Sequence, residues 1–394
     1  MRVLVIAGAA GTGKTTLGRA LARELAIPLL DLDTLTEPLL DGLAAWLPDG
    51  EHWNAPRHRG AVRPARYAAL LATLSDQVAA GIGAVAVAPF TAELAGGAEW
   101  DALVAAAGGE PTVIRLVATP ELLAERRAGR AVARDAHAMP AAPEIPVVAT
   151  LDLDAHLSTE QQLTRVRRAL GLHEPLPERS PVFEREFLAG LSDLDGTLID
   201  STPAVLRSWS RLAAELGYDG DMLSEGHGRP ARQILEMLLP PDLVESAFLR
   251  IAELEVAEVS DVHAIPGSLD FFAAIPARAI VTSGTQAIAS SRIAAAGVPR
   301  PESVVTFDDV AEGKPHPEPF LRAAELLGVP GEACLALEDA PAGIASAHAA
   351  GCTVIAITGT HSRDELAEAE LIVDRLDQLE VVAGERGFRV RPRR

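Results

Sequence analysis

Three glycines and a lysine, spaced as GAAGTGKT from Gly8 to Thr15, sit between an apolar run and a stretch of helical apolar spacing. No other feature constrains the chain as much. Glycines at this density suit neither a helix interior nor a strand interior. They suit a loop that turns a strand straight into a helix and lets backbone N–H groups converge on one point. Arg2 to Ile6 supplies the strand and Thr15 to Leu25 the helix. A strand entering a helix this directly belongs to a parallel sheet with helical crossovers, so the chain opens as an α/β domain.

The rest of the first half keeps that alternation. Short apolar runs at Pro28 to Asp31, Ala84 to Ala88, Thr112 to Ala118 and Val147 to Leu151 read as strands. Tyr67 to Ala80, Pro120 to Gly129 and Gln161 to Leu170 read as helices. Gly171 to Glu184, rich in proline and charge, is the expected linker. The expected organisation is a first domain at 1–172, a linker at 173–185 and a second domain at 186–394. In the second domain, Phe187 to Leu191 runs into DLDGT, and helical segments then fill Thr202 to His263. Strands resume at Ala279 to Thr282, Ser303 to Thr306, Cys334 to Leu337 and Thr353 to Ile357. The fold expected is two doubly wound parallel-sheet α/β domains, the second interrupted by a helical cap at about 202–264.

Composition bears on partners and compartment. A formal charge of −20 argues against broad contact with nucleic acid or anionic membranes. Two cysteines without metal-ligand spacing fit a reducing cytoplasm and not a disulfide framework. No run reaches the roughly 20 apolar residues of a membrane helix. Of the 35 basic residues only Lys14 and Lys314 are lysine, and both fall inside the motifs discussed next.

GAAGTGKT fits G-x-x-x-x-G-K-[ST], the P-loop pattern, in its required strand–loop–helix context. Gly8, Gly11, Thr12, Gly13, Lys14, Thr15 and Thr16 are the expected nucleotide-binding set, with Lys14 on the outer phosphates and Thr15 on Mg²⁺. The domain resembles the small-molecule kinases of the P-loop class, such as gluconate and shikimate kinases. The resemblance implies ATP as co-substrate and roles for the acidic strand end DLD. Asp31 would contact the acceptor and Asp33 would act on its hydroxyl, with the pair assisting Mg²⁺. It also implies an arginine-bearing lid in Glu125 to Ala136, where Arg126, Arg127, Arg130 and Arg134 lie, Arg130 being the expected nucleotide contact. The third strand, AVAVAPF, departs from the pattern by lacking a terminal Asp.

DLDGTL, Asp193 to Leu198, resembles the first motif of the haloacid dehalogenase superfamily of phosphohydrolases. Two carboxylates two residues apart at a strand end can both face one phosphate. The resemblance implies that one attacks phosphorus and forms an aspartyl-phosphate, while the other protonates the leaving oxygen and then activates water. Asp193 and Asp195 are those residues, with Thr197 as a phosphate donor. VTSGT supplies Thr282, Ser283 and Gly284 as phosphate contacts, Ser283 being the preferred hydroxyl; GKPHPEPF supplies Lys314. LEDAPAGI supplies Glu338 and Asp339, and the expected Mg²⁺ set is Asp193, Asp195 through its carbonyl, Asp339 and Glu338. The insertion resembles the helical cap of the subgroup with β-phosphoglucomutase and the glycerol- and sugar-phosphate phosphatases. Gly228 and Arg229, in HGRP, are then substrate contacts. Val205 stands where the mutase has a cap histidine, which favours phosphatase over mutase, and Ser192 replaces the usual apolar residue before Asp193.

The leading reading joins a Mg²⁺-dependent phosphatase of small phosphorylated metabolites to an ATP-dependent small-molecule kinase. The same order of activities resembles the phage polynucleotide kinase–phosphatase, which repairs nucleic-acid ends; the net charge and the cap weigh against it. A third reading makes the first domain a nucleotide sensor that regulates the phosphatase without transferring phosphate.

Overall fold

The N-terminal apolar run forms β1 (Val3–Gly8), buried from Val3 to Ala7. Burial on both faces is what a central parallel strand requires. β2 (Leu29–Asp31), β3 (Ala84–Val87), β4 (Thr112–Val117) and β5 (Leu151–Asp154) join it in the order β2-β3-β1-β4-β5, all parallel. The computed structural model describes residues 2–43, 46–47, 52–128, 146–218, 220, 222–225, 231–299, 301 and 303–393. It divides into two compact units, Met1–Val166 and Arg167–Arg394.

In the first unit, the helices Lys14–Glu24 and Arg59–Ala79 cover the sheet, and one core joins Val5, Leu70, Leu74, Ala86, Phe90 and Leu103. The last strand begins later than its apolar run suggests. Val147, expected to open it, is 78% exposed, whereas Leu153 is 3% exposed. β5 is an edge strand, so only one face is buried and its sequence LDLD alternates; the apolar run before it only approaches the sheet.

The second unit is built on β6 (Ala189–Ser192). Beyond it, β7 (Ile199–Asp200) pairs antiparallel with β8 (His263–Ala264). β9 (Arg278–Val281), β10 (Ser303–Val305), β11 (Cys334–Glu338), β12 (Thr353–Ile357) and β13 (Leu371–Val373) complete a parallel sheet ordered β10-β9-β6-β11-β12-β13. Between β7 and β8 lie the helices Thr202–Leu216, Met222–Glu225, Ala231–Leu238 and Pro241–Ala257. They carry their own core, including Trp209, Leu212, Ile234, Leu235, Ile251 and Leu254. The cap is thus a small folded body on a two-stranded neck.

Residues of the proline-rich stretch expected as a linker are tied into this second unit. The Glu174 amide donates to Asp374 at 2.7 Å, Ser180 Oγ donates to the Glu370 carbonyl at 3.0 Å, and Pro181–Glu184 forms a helical turn. A hairpin, β14 (Leu379–Ala383) and β15 (Phe388–Pro392), closes the chain. Phe388 pairs with Phe187 through two backbone hydrogen bonds and a ring contact at 5.8 Å, and both side chains are fully buried. That contact fixes the approach to β6. No helix among the described residues is long and apolar enough to cross a membrane.

Truncating Phe388 to Ala should cost about 3–5 kcal/mol, the usual range for a fully buried phenyl group. Urea unfolding followed by circular dichroism measures it, and a loss below about 1 kcal/mol would mean the hairpin does not brace β6.

Candidate active sites

Both candidate sites form where parallel strands end and helices begin. In the first unit, the loop after β1 runs into the helix Lys14–Glu24 through Gly13, at φ 96°. Gly8, at φ 138°, cannot be another residue, because a Cβ there would stand 2.5 Å from the Leu116 carbonyl oxygen. Gly11, Gly13, Lys14, Thr15 and Thr16 line a cavity of about 200 Å³. Thr12 is buried behind it, its hydroxyl donating to the Ala9 carbonyl at 3.0 Å, and the Lys14 ammonium donates to the same carbonyl at 2.6 Å. Thr15 Oγ1 donates to Asp31 at 2.9 Å, which sets two oxygens side by side where a divalent cation could sit.

Asp33 lies across this cavity, bound to Arg66 at 2.5 Å. Arg66 also donates to Thr36 at 2.8 Å and lies over the Trp53 ring. The Asp33 carboxylate therefore already has a cationic partner. The end of β3 brings only Val87, Ala88 and Pro89 to the wall, as its missing acid requires. Of the expected lid arginines, Arg126 donates to the Thr12 carbonyl at 3.3 Å and to the Ala155 carbonyl at 2.8 Å. Arg130 and Arg134 lie outside the described residues.

The second site gathers the ends of β6, β9 and β11. Lys314 Nζ donates to Asp193 Oδ1 and Glu338 Oε1, both at 2.6 Å, and to the Val281 carbonyl at 3.0 Å. Asp193, Glu338 and Asp339 are 7%, 1% and 4% exposed, and each offers an oxygen within 4.8 Å of the others. Burial pushes the Asp193 carboxyl well above the usual range, against the opposing pull of Lys314, with Glu338 and Asp339 adding to the rise. Asp339 is pushed up to about 7, again chiefly by burial and then by Glu338. Thr197 donates to Asp339 at 3.2 Å, and Thr360 donates to its other oxygen. Gly196, at φ 84°, lets the loop pass this carboxylate: a Cβ would lie 2.0 Å from Asp339 Oδ2.

Asp195 faces a cavity of about 650 Å³ that continues up to the cap. Its Oδ1 accepts from Ser201 at 2.6 Å and from Arg292 at 2.7 Å. Of the two candidate hydroxyls after β9, Thr282 is the buried one, 3.5 Å from Asp195 Oδ2 and accepting from the Gly284 amide at 3.1 Å. Ser283 is exposed and lines the cavity, as does Gly284. Gly228 and Arg229 lie outside the described residues. Ser192 is buried, its hydroxyl closed on the Asp193 carbonyl at 2.7 Å.

Sequence reasoning missed Arg292, Glu255 and Thr360. Thr360 follows the end of β12, beside β11, so the rule that parallel sheets bind at their carboxyl ends would have flagged it. Arg292, mid-helix in QAIASSRIAA, carries no motif signal.

The acidic cluster fits a hard divalent cation unequally. Asp193 Oδ2 is buried and finds no hydrogen-bond partner among the described residues. An unpaired buried carboxylate oxygen is costly unless something else occupies its lone pairs. Asp339 sits beside it. Glu338 is a poorer ligand, because Lys314 takes Oε1 while the amides of Asp339 and Ala340 take Oε2.

The profile for haloacid dehalogenase-like hydrolases matches residues 191–357, and one described as an AAA domain matches residues 3–143. Hexitol phosphatase A of Escherichia coli is 39% identical over 48% of this chain and 92% of its own length. Glycerol-1-phosphate phosphohydrolase 1 of Saccharomyces cerevisiae is 33% identical over 49% of this chain and 84% of its own. A crystal structure of CbbY from Rhodobacter sphaeroides with phosphate aligns over 48% of this chain and 94% of its own, with 24% identity and a TM-score of 0.44.

Three buried carboxylates crowd one ammonium that bonds only two of them, so metal-free protein should be strained. An acid whose folded pKa is raised costs stability above that pKa, and the cost fades as pH falls through it. Metal-free wild type should therefore gain stability from pH 8 to pH 6, across the Asp339 value of about 7. Asp193→Asn at pH 8 should raise stability, because it removes one of the crowded negative charges while Lys314 keeps Glu338 as its partner. Urea unfolding in chelator reads both; a less stable Asp193→Asn protein would contradict the electrostatic account.

Proposed function

The chain belongs to the haloacid dehalogenase-like hydrolases, and on that premise we propose that its second unit is a Mg²⁺-dependent phosphatase of small sugar or polyol phosphates. The first unit, in the same reading, is an ATP-dependent kinase for a hydroxyl of a small molecule. One observation carries the phosphatase assignment. Asp193 has one oxygen fixed by Lys314 and the other buried and unpartnered among the described residues, two residues before a second carboxylate that faces the cavity.

The chemistry follows from those positions. Asp193 attacks phosphorus through a carboxylate oxygen, and the bond to the leaving oxygen breaks with its electron pair on that oxygen. Asp195 supplies the proton the leaving oxygen needs. It then takes one from the water that cleaves the aspartyl-phosphate, which restores both carboxyl groups. Lys314, held between Asp193 and Glu338, offsets the charge of the carboxylates and the incoming phosphoryl group, and Ser283, exposed on the cavity wall, is the hydroxyl available to a phosphoryl oxygen, the Gly284 amide being engaged by Thr282. Mg²⁺ held by Asp193, Asp339 and the Asp195 carbonyl would supply further neutralisation at the phosphoryl oxygens. The polyol class rests on the relatives, whose names are hexitol phosphatase and glycerol-1-phosphate phosphohydrolase. The cap, with a core of its own, leaves a bounded chamber suited to small leaving groups.

For the first unit, the glycine loop, Lys14 and the Thr15–Asp31 pair support nucleotide and Mg²⁺ binding, and Asp33 with Arg66 opposite the loop supports an acceptor pocket there. The carboxylate-free end of β3 favours one competing reading, a nucleotide sensor that does not transfer phosphate.

Phosphate release from sugar, polyol and nucleotide phosphates and 3′-phosphorylated oligonucleotides, with Mg²⁺, tests the first assignment. Release from small polyol or sugar phosphates should fall at least about a thousandfold in Asp193→Asn. Preference for oligonucleotide ends would replace this reading with end repair. For the first unit, ADP formation should depend on an added hydroxyl acceptor and vanish in Lys14→Ala. Acceptor-independent nucleotide binding without turnover would leave the sensor reading in its place.

A further inference from the structure

Between the cap and the sheet lies a buried guanidinium with no assigned role. Arg292, on the helix Gln286–Ala295, has a side chain only 5% exposed. Its Nη1 donates to Asp195 Oδ1 at 2.7 Å and its Nη2 to Glu255 Oε2 at 3.0 Å. Glu255 belongs to the cap helix Pro241–Ala257, and its other oxygen accepts from Trp209 Nε1 at 3.1 Å on the cap helix Thr202–Leu216. One planar fork thus joins the loop after β6 to two helices of the cap. Arg292 Nε is buried without a partner among the described residues, so the side chain is held there at a cost in desolvation.

The hydrogen bonds on Asp195 are asymmetric. Oδ1 receives both Arg292 and Ser201, at 2.7 and 2.6 Å, and is saturated. Among the described residues Oδ2 has only the Thr282 hydroxyl, at the limit of contact at 3.5 Å, and Asp195 lines the chamber. A carboxylate held by one hydroxyl can turn about its Cβ–Cγ bond; one also held by a guanidinium anchored in a helix and in the cap cannot.

We propose that Arg292 is a positioning residue: it pins Asp195 Oδ1 so that Oδ2 is the oxygen that exchanges protons with the reactants, and its second arm on Glu255 ties that alignment to the seating of the cap. This rests on the reading of Asp195 as the group that protonates the leaving oxygen. The proton passes from Asp195 Oδ2 to that oxygen as the phosphorus–oxygen bond breaks, and the bond's electron pair stays on the oxygen.

Misalignment should then hurt in proportion to the leaving group's need for a proton. Glycerol 1-phosphate leaves a strongly basic alkoxide; p-nitrophenyl phosphate leaves a stable phenolate and needs little help. In single-turnover reactions Arg292→Gln should lower the rate with glycerol 1-phosphate at least about tenfold, while the burst of p-nitrophenolate falls less than about threefold. KM should change less than about threefold, and Arg292→Lys should recover part of the loss. Because Arg292→Gln strips two carboxylates of their counter-ion, Arg292→Gln/Glu255→Gln is run beside it. A double variant that unfolds at the wild-type midpoint yet keeps the ester-selective loss excludes a folding defect. Equal losses on both esters would reduce Arg292 to a structural ion pair, and a loss confined to KM would make it a substrate contact; either overturns the proposal. Asp193→Asn separates the two levels. Hydrolysis that survives it defeats the aspartate-nucleophile reading, whereas its abolition together with an ester-independent Arg292→Gln defeats only the inference.

Discussion

The arrangement of the second unit depends on one ammonium group. Parallel strands end at the same edge of a sheet, so β6 and β11 bring Asp193, Glu338 and Asp339 together whether or not their charges can be tolerated. In a buried setting that crowding would expel at least one carboxylate, or force protons onto the group. Lys314, reaching in from another loop, takes one oxygen from each of two carboxylates and the carbonyl of a third strand, β9. Its own burial works against its charge, yet the two carboxylates push its pKa above the ordinary lysine value. Burial, with a compensation that is incomplete, holds the Asp193 and Asp339 carboxyls above the usual range, and among the described residues Asp193 keeps an oxygen unpaired. In the proposed mechanism this incompleteness is needed: a fully satisfied Asp193 would have nothing left to offer phosphorus.

This logic explains how much could be read from the sequence. Residues that act from strand ends are legible, because the strand is apolar, the turn needs glycine, and the acid or hydroxyl comes at a fixed offset. Asp193, Asp195, Thr282 and Asp339 follow strands and Lys314 sits in a loop; all five were expected from the resemblance to the haloacid dehalogenase motifs, and they line one chamber. Ser283 was the preferred hydroxyl, whereas Thr282 is the one turned inward beside Asp195, since which of two adjacent hydroxyls does so depends on the last residue of the strand pairing. β5 and the closing hairpin were obscured by edge position, where alternation replaces an apolar run. Arg292 was invisible for a deeper reason. Its role depends on a helix, a loop and the cap meeting in space, and nothing local to QAIASSRIAA encodes that meeting.

In the proposed assignment the two units would meet phosphate by opposite means. The first sets glycine backbone, a helix N-terminus and one lysine on one side of a cavity, with Asp31, Asp33 and Glu37 on its other walls. Its acids, Asp31 and Asp33, are each engaged by a neighbour, Thr15 and Arg66. The second puts its acids at the centre and surrounds them with what makes them bearable. If the proposed activities hold, the difference follows from the direction of transfer. A kinase protects a phosphate already carrying charge and lets a hydroxyl approach it, whereas an aspartate phosphatase drives a carboxylate into an anion and must first pay for bringing the two together.

That contrast also accounts for the choice of cation. The chain uses arginine 33 times and lysine only at Lys14 and Lys314. Lys314 serves three acceptors at 2.6, 2.6 and 3.0 Å that surround a single point, which a tetrahedral ammonium matches with its three N–H bonds. A planar fork would reach two of them and overshoot the third. Arg292 faces the converse task. Its two carboxylates, Asp195 and Glu255, belong to different bodies, and Nη1 and Nη2 must serve them separately while the plane keeps their spacing fixed. Lysine there would have to choose one of them. Cation identity is therefore set by whether acceptors surround a point or lie apart, and a lysine placed among so many arginines marks a point where acceptors converge.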